Sequence, residues 1–133
     1  MAGGIKLRPS DIVFSQYVRL KAGKCARCGS PVQFNSAGMP ITHQASHFQG
    51  RRKEATRFDL ENVDCMCGGC HLYLTAFPYE HTQWQIQNKG KQTVEAIVLR
   101  SNGHKKRDDK MDKLIWSAAL KDLLKERQSV NII

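Results

Sequence analysis

The sequence predicts an α+β fold: a cysteine-framed mixed core between an N-terminal helix and a helical C-terminal tail. Two Cys-x-x-Cys pairs, Cys25/Cys28 and Cys67/Cys70, mark the core. Short strand-like runs broken by turn residues lie between them, and the flanks carry apolar residues at helical spacing. With 133 residues, of which 8% are aromatic, the chain suits one small domain whose thin core needs a non-hydrophobic staple. We divide it into residues 1–100, a zinc-stabilised domain including the first helix, and residues 101–133, a basic linker and amphipathic helix.

The first helix should begin near Pro9, with Ser10 or Asp11 accepting its free N–H groups. Ile12, Val13, Phe14, Tyr17, Val18 and Leu20 follow, and Gly23 stops it. The Cys25-to-Cys28 turn leads to a short strand over 31–34, a loop, and a second strand over 41–48. Residues 49–53 read as a polar basic loop and 57–64 as irregular or hairpin-like, because Asp59 and Asn62 favour turns. After the Cys67-to-Cys70 turn, a helix should run from 71 to 76, where Pro78 breaks it. Helical segments over 80–88 and 93–99 are separated by Gly90. A charged linker precedes the last helix, whose stripe includes Leu114, Leu120, Leu123 and Leu124 and serves either as core or as a dimer seam.

Five cysteines in a chain with no apolar h-region at its N-terminus point to metal rather than disulfides. Four thiolates from two such turns make a closed tetrahedral shell for a structural zinc; buried reduced cysteines are the plainer alternative. Gly29 and the Gly68-Gly69 pair would let each turn close tightly around sulfur. Cys65 is treated as a packed thiol. No apolar run approaches the ~20 residues of a membrane span, and the expected location is cytoplasmic.

The 21 Lys and Arg against 12 Asp and Glu give a formal charge of +9, which favours a polyanionic partner such as nucleic acid. A merely soluble basic protein would look the same by charge alone. Arg51, Arg52, Lys53 and Arg57 form one basic run, and Lys105, Lys106 and Arg107 another. Between and just after the cysteine pairs stand His43, His47, Asn62 and His71. A water attacking a phosphodiester needs a general base titrating near neutrality, which histidine supplies, and a divalent cation to offset charge on the phosphate. Taken singly, each of these histidines could equally be structural.

The run Ala45-Ser46-His47-Phe48, Arg51, Thr56-Arg57-Phe58-Asp59, Glu61-Asn62-Val63 and Cys67-Gly68-Gly69-Cys70-His71 resembles the HNH nuclease motif. Within that superfamily it is most similar to the NinG (Rap) recombination nucleases of lambda-like phages, as is Phe14-Ser15-x-Tyr17-Val18-Arg19. The resemblance covers residues 10–90. It implies a ββα-metal fold, treble-clef-like around the zinc. His47 would activate water, Asn62 would brace the loop between strand and helix, and His71 would hold Mg²⁺ or Mn²⁺. Arg51 would contact phosphate, with Arg52, Lys53 and Arg57 bordering the site. The implied reaction is phosphodiester hydrolysis leaving 5′-phosphate and 3′-hydroxyl ends.

The implied substrate is DNA in phage recombination, including branched junctions, for which paired nicks would suit a homodimer; a phage-encoded chain would act in the host cytoplasm. Ser46 departs from the pattern, since many HNH enzymes carry an Asp or His there as a second metal ligand. His43, four residues before His47, would share its strand face and is a candidate substitute. Two other readings stay open: an HNH nuclease of packaging or mobility that nicks or cuts duplex DNA, and a zinc-stabilised DNA-binding module with a decayed site.

Overall fold

Helix α1 (Pro9–Ala22) starts one residue earlier than its polar residues suggest, because Pro9 occupies the first turn, where its missing N–H costs nothing. Asp11 sits in that first turn and its carboxylate reaches back to the Arg8 N–H at 2.8 Å. Ser10 does not cap the helix; its hydroxyl pairs with Asp109, far along the chain. Gly23 ends α1 at φ 72°, a conformation costly for a side chain with a Cβ, with its N–H on the Arg19 carbonyl at 3.0 Å. The computed structural model describes residues 6–132.

Strand β1 (Gln44–His47) pairs antiparallel with β2 (Val63–Met66), placing His47 opposite Val63 and Ser46 opposite Asp64. The expected strand over 31–34 reduces to the isolated bridges Lys24–Pro31 and Phe34–Pro40. β1 is also shorter than the run 41–48, because His43 takes φ 69° and turns the chain just before it. β2 begins at the end of the 57–64 segment, read as irregular or hairpin-like, and runs past it to Met66. Its Val63 and Cys65 are buried with Phe14, Val18, Val32, Ala45 and Phe58, so tertiary packing overrides the turn-forming residues beside it.

Cys67 then caps α2 (Gly68–Ala76), and Pro78 opens α3 (Pro78–Lys89) directly after Phe77. Gly90, at φ 89°, separates α3 from α4 (Lys91–Ser101). The described residues thus contain five α-helices, with α5 (Asp109–Ile132) the longest, and a two-stranded sheet. None of the helices is long and apolar enough to cross a membrane.

The C-terminal helix lies on α1. Leu120 and Leu123 are buried with Leu20, and Trp116 meets the Phe14 ring edge-on at 4.6 Å. Leu120 and Leu123 of the stripe are therefore core within the chain, with Leu124 packed against them, whereas Leu114 is 66% exposed. Burying such side chains contributes roughly 1.5–3 kcal/mol each, which ties α5 to the domain that carries the cysteines.

Candidate functional site

The four cysteines converge. The sulfurs of Cys25, Cys28, Cys67 and Cys70 lie within 4.8 Å of one another, and Cys28 Sγ is 3.7 Å from Cys67 Sγ. A tetrahedral zinc with Zn–S bonds of about 2.3 Å has S–S edges near 3.8 Å, so the cluster is positioned to bind a metal such as zinc. Each turn aims an amide at sulfur: Cys28 N–H at Cys25 Sγ, 3.5 Å, and Cys70 N–H at Cys67 Sγ, 3.4 Å. Gly29 at φ 78° makes the first turn possible. Gly68 and Gly69 are not needed for the second, since they lie in the first turn of α2 with open space where a Cβ would stand.

The thiols differ in acidity. Hydrogen bonds from Ser30 lower Cys28 to about 6, whereas burial raises Cys70 to about 12. Arg27 donates to Cys70 Sγ at 3.4 Å and lies over the Tyr73 ring. Cys65 stands apart from the cluster, raised by burial to about 11.

Residues 48–62 connect the two strands, and Asn62 ties that loop shut. Fully buried, it accepts the Gln49 N–H at 2.7 Å and donates to the carbonyls of Gln49 at 2.8 Å and Thr56 at 3.1 Å. The braced loop thus joins strand to strand rather than strand to helix. It presents the Arg57 carbonyl to His47, whose Nε2–H donates to it at 2.8 Å. A carbonyl can only accept, so this bond fixes the tautomer and leaves Nδ1 as a lone pair. His47 Nδ1 is buried and has no hydrogen-bond partner.

His71, on the first turns of α2, likewise has a buried Nδ1 without a hydrogen-bond partner; the buried Nε of Arg51 makes no hydrogen bond either, but lies 3.9 Å from the Asp11 carboxylate. Burial, then the Arg51 charge, pulls His47 down to about 4, and the same two causes lower His71 in the same order. Both histidines therefore feel one guanidinium and are neutral at pH 7. His47 titrates well below the near-neutral value expected of a free histidine.

Asp11, Arg19, His43, Arg51 and His71 line a cleft of about 420 Å³ between α1 and β1. His43 cannot serve as a spare metal ligand in this arrangement. Its Nε2 lies 3.0 Å from the Ser30 carbonyl and its Nδ1 2.9 Å from Thr42 Oγ1, and its positive φ removes the shared strand face on which the expectation rested. Ser46 is buried.

Among the described residues, the four cysteines are the sole group of three or more His, Cys, Asp or Glu side chains able to surround a cation. The residues near His71 therefore do not form a second metal cage of their own.

Arg57 requires a correction as a DNA contact. It is 1% exposed, its Nε and Nη2 donate to the Asp11 carboxylate at 2.9 and 2.5 Å, and its Nη1 reaches Glu54 at 3.2 Å. Burial pushes the Asp11 carboxyl up, but hydrogen bonds from Arg57 and the Arg8 N–H outweigh it and hold the group low. Arg107 is also committed, donating twice to the Glu54 carbonyl and stacking 5.1 Å over Phe58. Lys53 bonds Asn102 at its exposed end, while Arg52, Lys105 and Lys106 are exposed. The contribution of Asp11 was not visible in the sequence, where it reads only as a helix-start residue. No protein-family model matches the chain, and no curated protein is significantly similar to it.

Proposed function

We propose that the protein is a DNA endonuclease of the HNH type, with a structural zinc on Cys25, Cys28, Cys67 and Cys70. The observation that carries this reading is the state of His47: Nε2–H anchored on the Arg57 carbonyl, Nδ1 buried and without a hydrogen-bond partner beside the cleft that Arg51 and His71 line. That is the arrangement a general base needs, fixed in tautomer and direction before substrate arrives.

In the proposed reaction a phosphodiester enters the cleft against Arg51. His47 Nδ1, buried in the free protein, would take a proton from a water admitted with the substrate, and the water oxygen would attack phosphorus. The P–O3′ bond breaks, and the 3′ oxygen takes a proton from solvent. An arriving phosphate also neutralises the guanidinium that holds His47 low, so the base strengthens as substrate binds. His71 would be the one nitrogen offered to a Mg²⁺ or Mn²⁺ ion, and such an ion would supply charge neutralisation at the phosphate. Because Arg51 repels a bare cation there, ion and phosphate should bind together. The order and spacing of His47, Asn62 and His71 resemble the recombination nucleases named above, which favours branched DNA as substrate.

Ser46 and the lack of an acidic cage at His71 favour a second reading, a zinc-held DNA-binding module without catalysis. Incubation with plasmid and synthetic four-way junctions, with Mg²⁺, Mn²⁺ or EDTA, separates the two. Metal-dependent cleavage supports the nuclease. Tight DNA binding without cleavage under any condition overturns it.

A further inference from the structure

We propose that Arg19 on α1 is a second phosphate-binding residue of the cleft, gripping a backbone phosphate that flanks the one at Arg51. The inference rests on the nuclease reading for the strand's identity, but its geometry is independent of catalysis.

Arg19 lies half-buried on the cleft wall, opposite the basic loop in sequence and absent from both basic runs. Its guanidinium is fixed from behind. Nε donates to the Ser15 carbonyl and hydroxyl at 3.2 and 3.1 Å, and Nη1 to the Thr42 carbonyl at 3.2 Å, with Pro40 O at 3.5 Å. These acceptors orient the fork but carry no charge to neutralise it. Among the described residues Nη2 makes no hydrogen bond and Arg19 pairs with no carboxylate.

Burial without a counter-charge disfavours the cation and lowers its proton affinity. The one carboxylate on the cleft, Asp11, is already held by Arg57 at two oxygens. The remaining titratable groups there, His43 and His71, are not anionic. An oriented cation in a cleft with no anion left for it is complementary to phosphate, which a guanidinium recognises by its two parallel N–H donors. Leu7 and Ile12, both more than half exposed on the same cleft, offer apolar surface to the sugars of such a strand.

The alternative is that Arg19 merely braces residues 40–42 from α1. Arg19→Gln and Arg19→Lys together distinguish them, because both lose the fork that reaches residues 40–42 but only lysine keeps the charge. DNA binding would be measured by anisotropy in EDTA over about 50–200 mM salt. The proposal expects roughly tenfold weaker binding, the size of one charged hydrogen bond. The slope of log affinity against log salt should shrink by about 0.7–0.9, one phosphate contact. Arg19→Lys should retain the slope, and in cleavage assays Arg19→Gln should raise KM with kcat within about twofold.

A wild-type salt slope in folded Arg19→Gln overturns the proposal, even if the wild type cleaves DNA. A reduced slope with no cleavage by the wild type supports the subsite and overturns the nuclease reading instead. Should Arg19→Gln fail to fold, wild-type protein can be titrated with single-strand and junction DNA bearing methylphosphonates at successive positions. Loss at a phosphate flanking the cut supports the subsite, and uniform tolerance overturns it.

Discussion

The cleft between α1 and β1 receives Arg51 from one further wall and His71 from another, and the regions behind those two residues are held together in opposite ways. Residues 48–62 are closed by protein groups alone: Asn62 satisfies three backbone groups, and Arg57 joins Asp11 to Glu54. The cysteine turns bring four sulfurs together with only weak N–H and S–H contacts between them. Four thiolates at that spacing repel one another without a cation. One wall is thus complete in the polypeptide, and the other is positioned to be completed by a metal ion such as zinc.

Removing the ion should give the largest effect. Structural zinc supplies about 10–16 kcal/mol in small zinc modules. Chelation, or Cys67→Ser, is expected to abolish cooperative thermal unfolding, while Cys65→Ser leaves the zinc content at one per chain. Metal analysis that finds folded protein without zinc would remove the contrast between the two walls.

Next in size is the buried ion pair. Arg57→Met leaves Asp11, at 3% exposure, with only the Arg8 N–H and the more distant Arg51 at 3.9 Å, and should cost about 3 kcal/mol in denaturant unfolding. Adding Asp11→Asn should recover much of that loss. Lys105→Ala, at an exposed basic position, should leave stability within about 0.5 kcal/mol and weaken DNA binding. A mild Arg57→Met phenotype would show that the loop does not depend on this pair.

The smallest of the three is a pH effect centred on His47. His47 falls to about 4 in the folded state against about 6.5 unfolded. Between those values the unfolded chain binds the proton and the folded chain does not, so stability is full above about 6.5 and declines as pH drops toward about 4. The loss should approach roughly 3 kcal/mol. Lowered His71 and His81 act with the same sign. His47→Gln should flatten this slope, measured by unfolding at constant zinc between about pH 6.5 and 4.

Legibility in the sequence divides along the same line as the two walls. Metal-binding turns announce themselves because both ligands of a pair are three residues apart, so Cys25, Cys28, Cys67 and Cys70 could be read directly. The helices also show locally, through apolar spacing and the stops at Gly23, Pro78 and Gly90.

Arg57 could not be read this way. In a row of basic residues it looks like Arg51 and Arg52, and its burial is decided by Asp11, 46 residues away. β2 hid for a related reason: four residues beside Asp59 and Asn62 carry no period long enough to detect. The turn at His43 depends on ring bonds to Thr42 and Ser30, a local strain with no pattern in composition. Arg19 sits in a helix whose apolar stripe draws attention to its neighbours.

The central claim is that His47 is a prepositioned base. It is tested most directly by single-turnover cleavage of a four-way junction with Mg²⁺, comparing wild type and His47→Ala at matched DNA occupancy and unchanged zinc content. The account requires wild-type binding with a rate lower by roughly 10²–10⁴-fold, the usual contribution of a positioned base. Equal rates for the two proteins would contradict it.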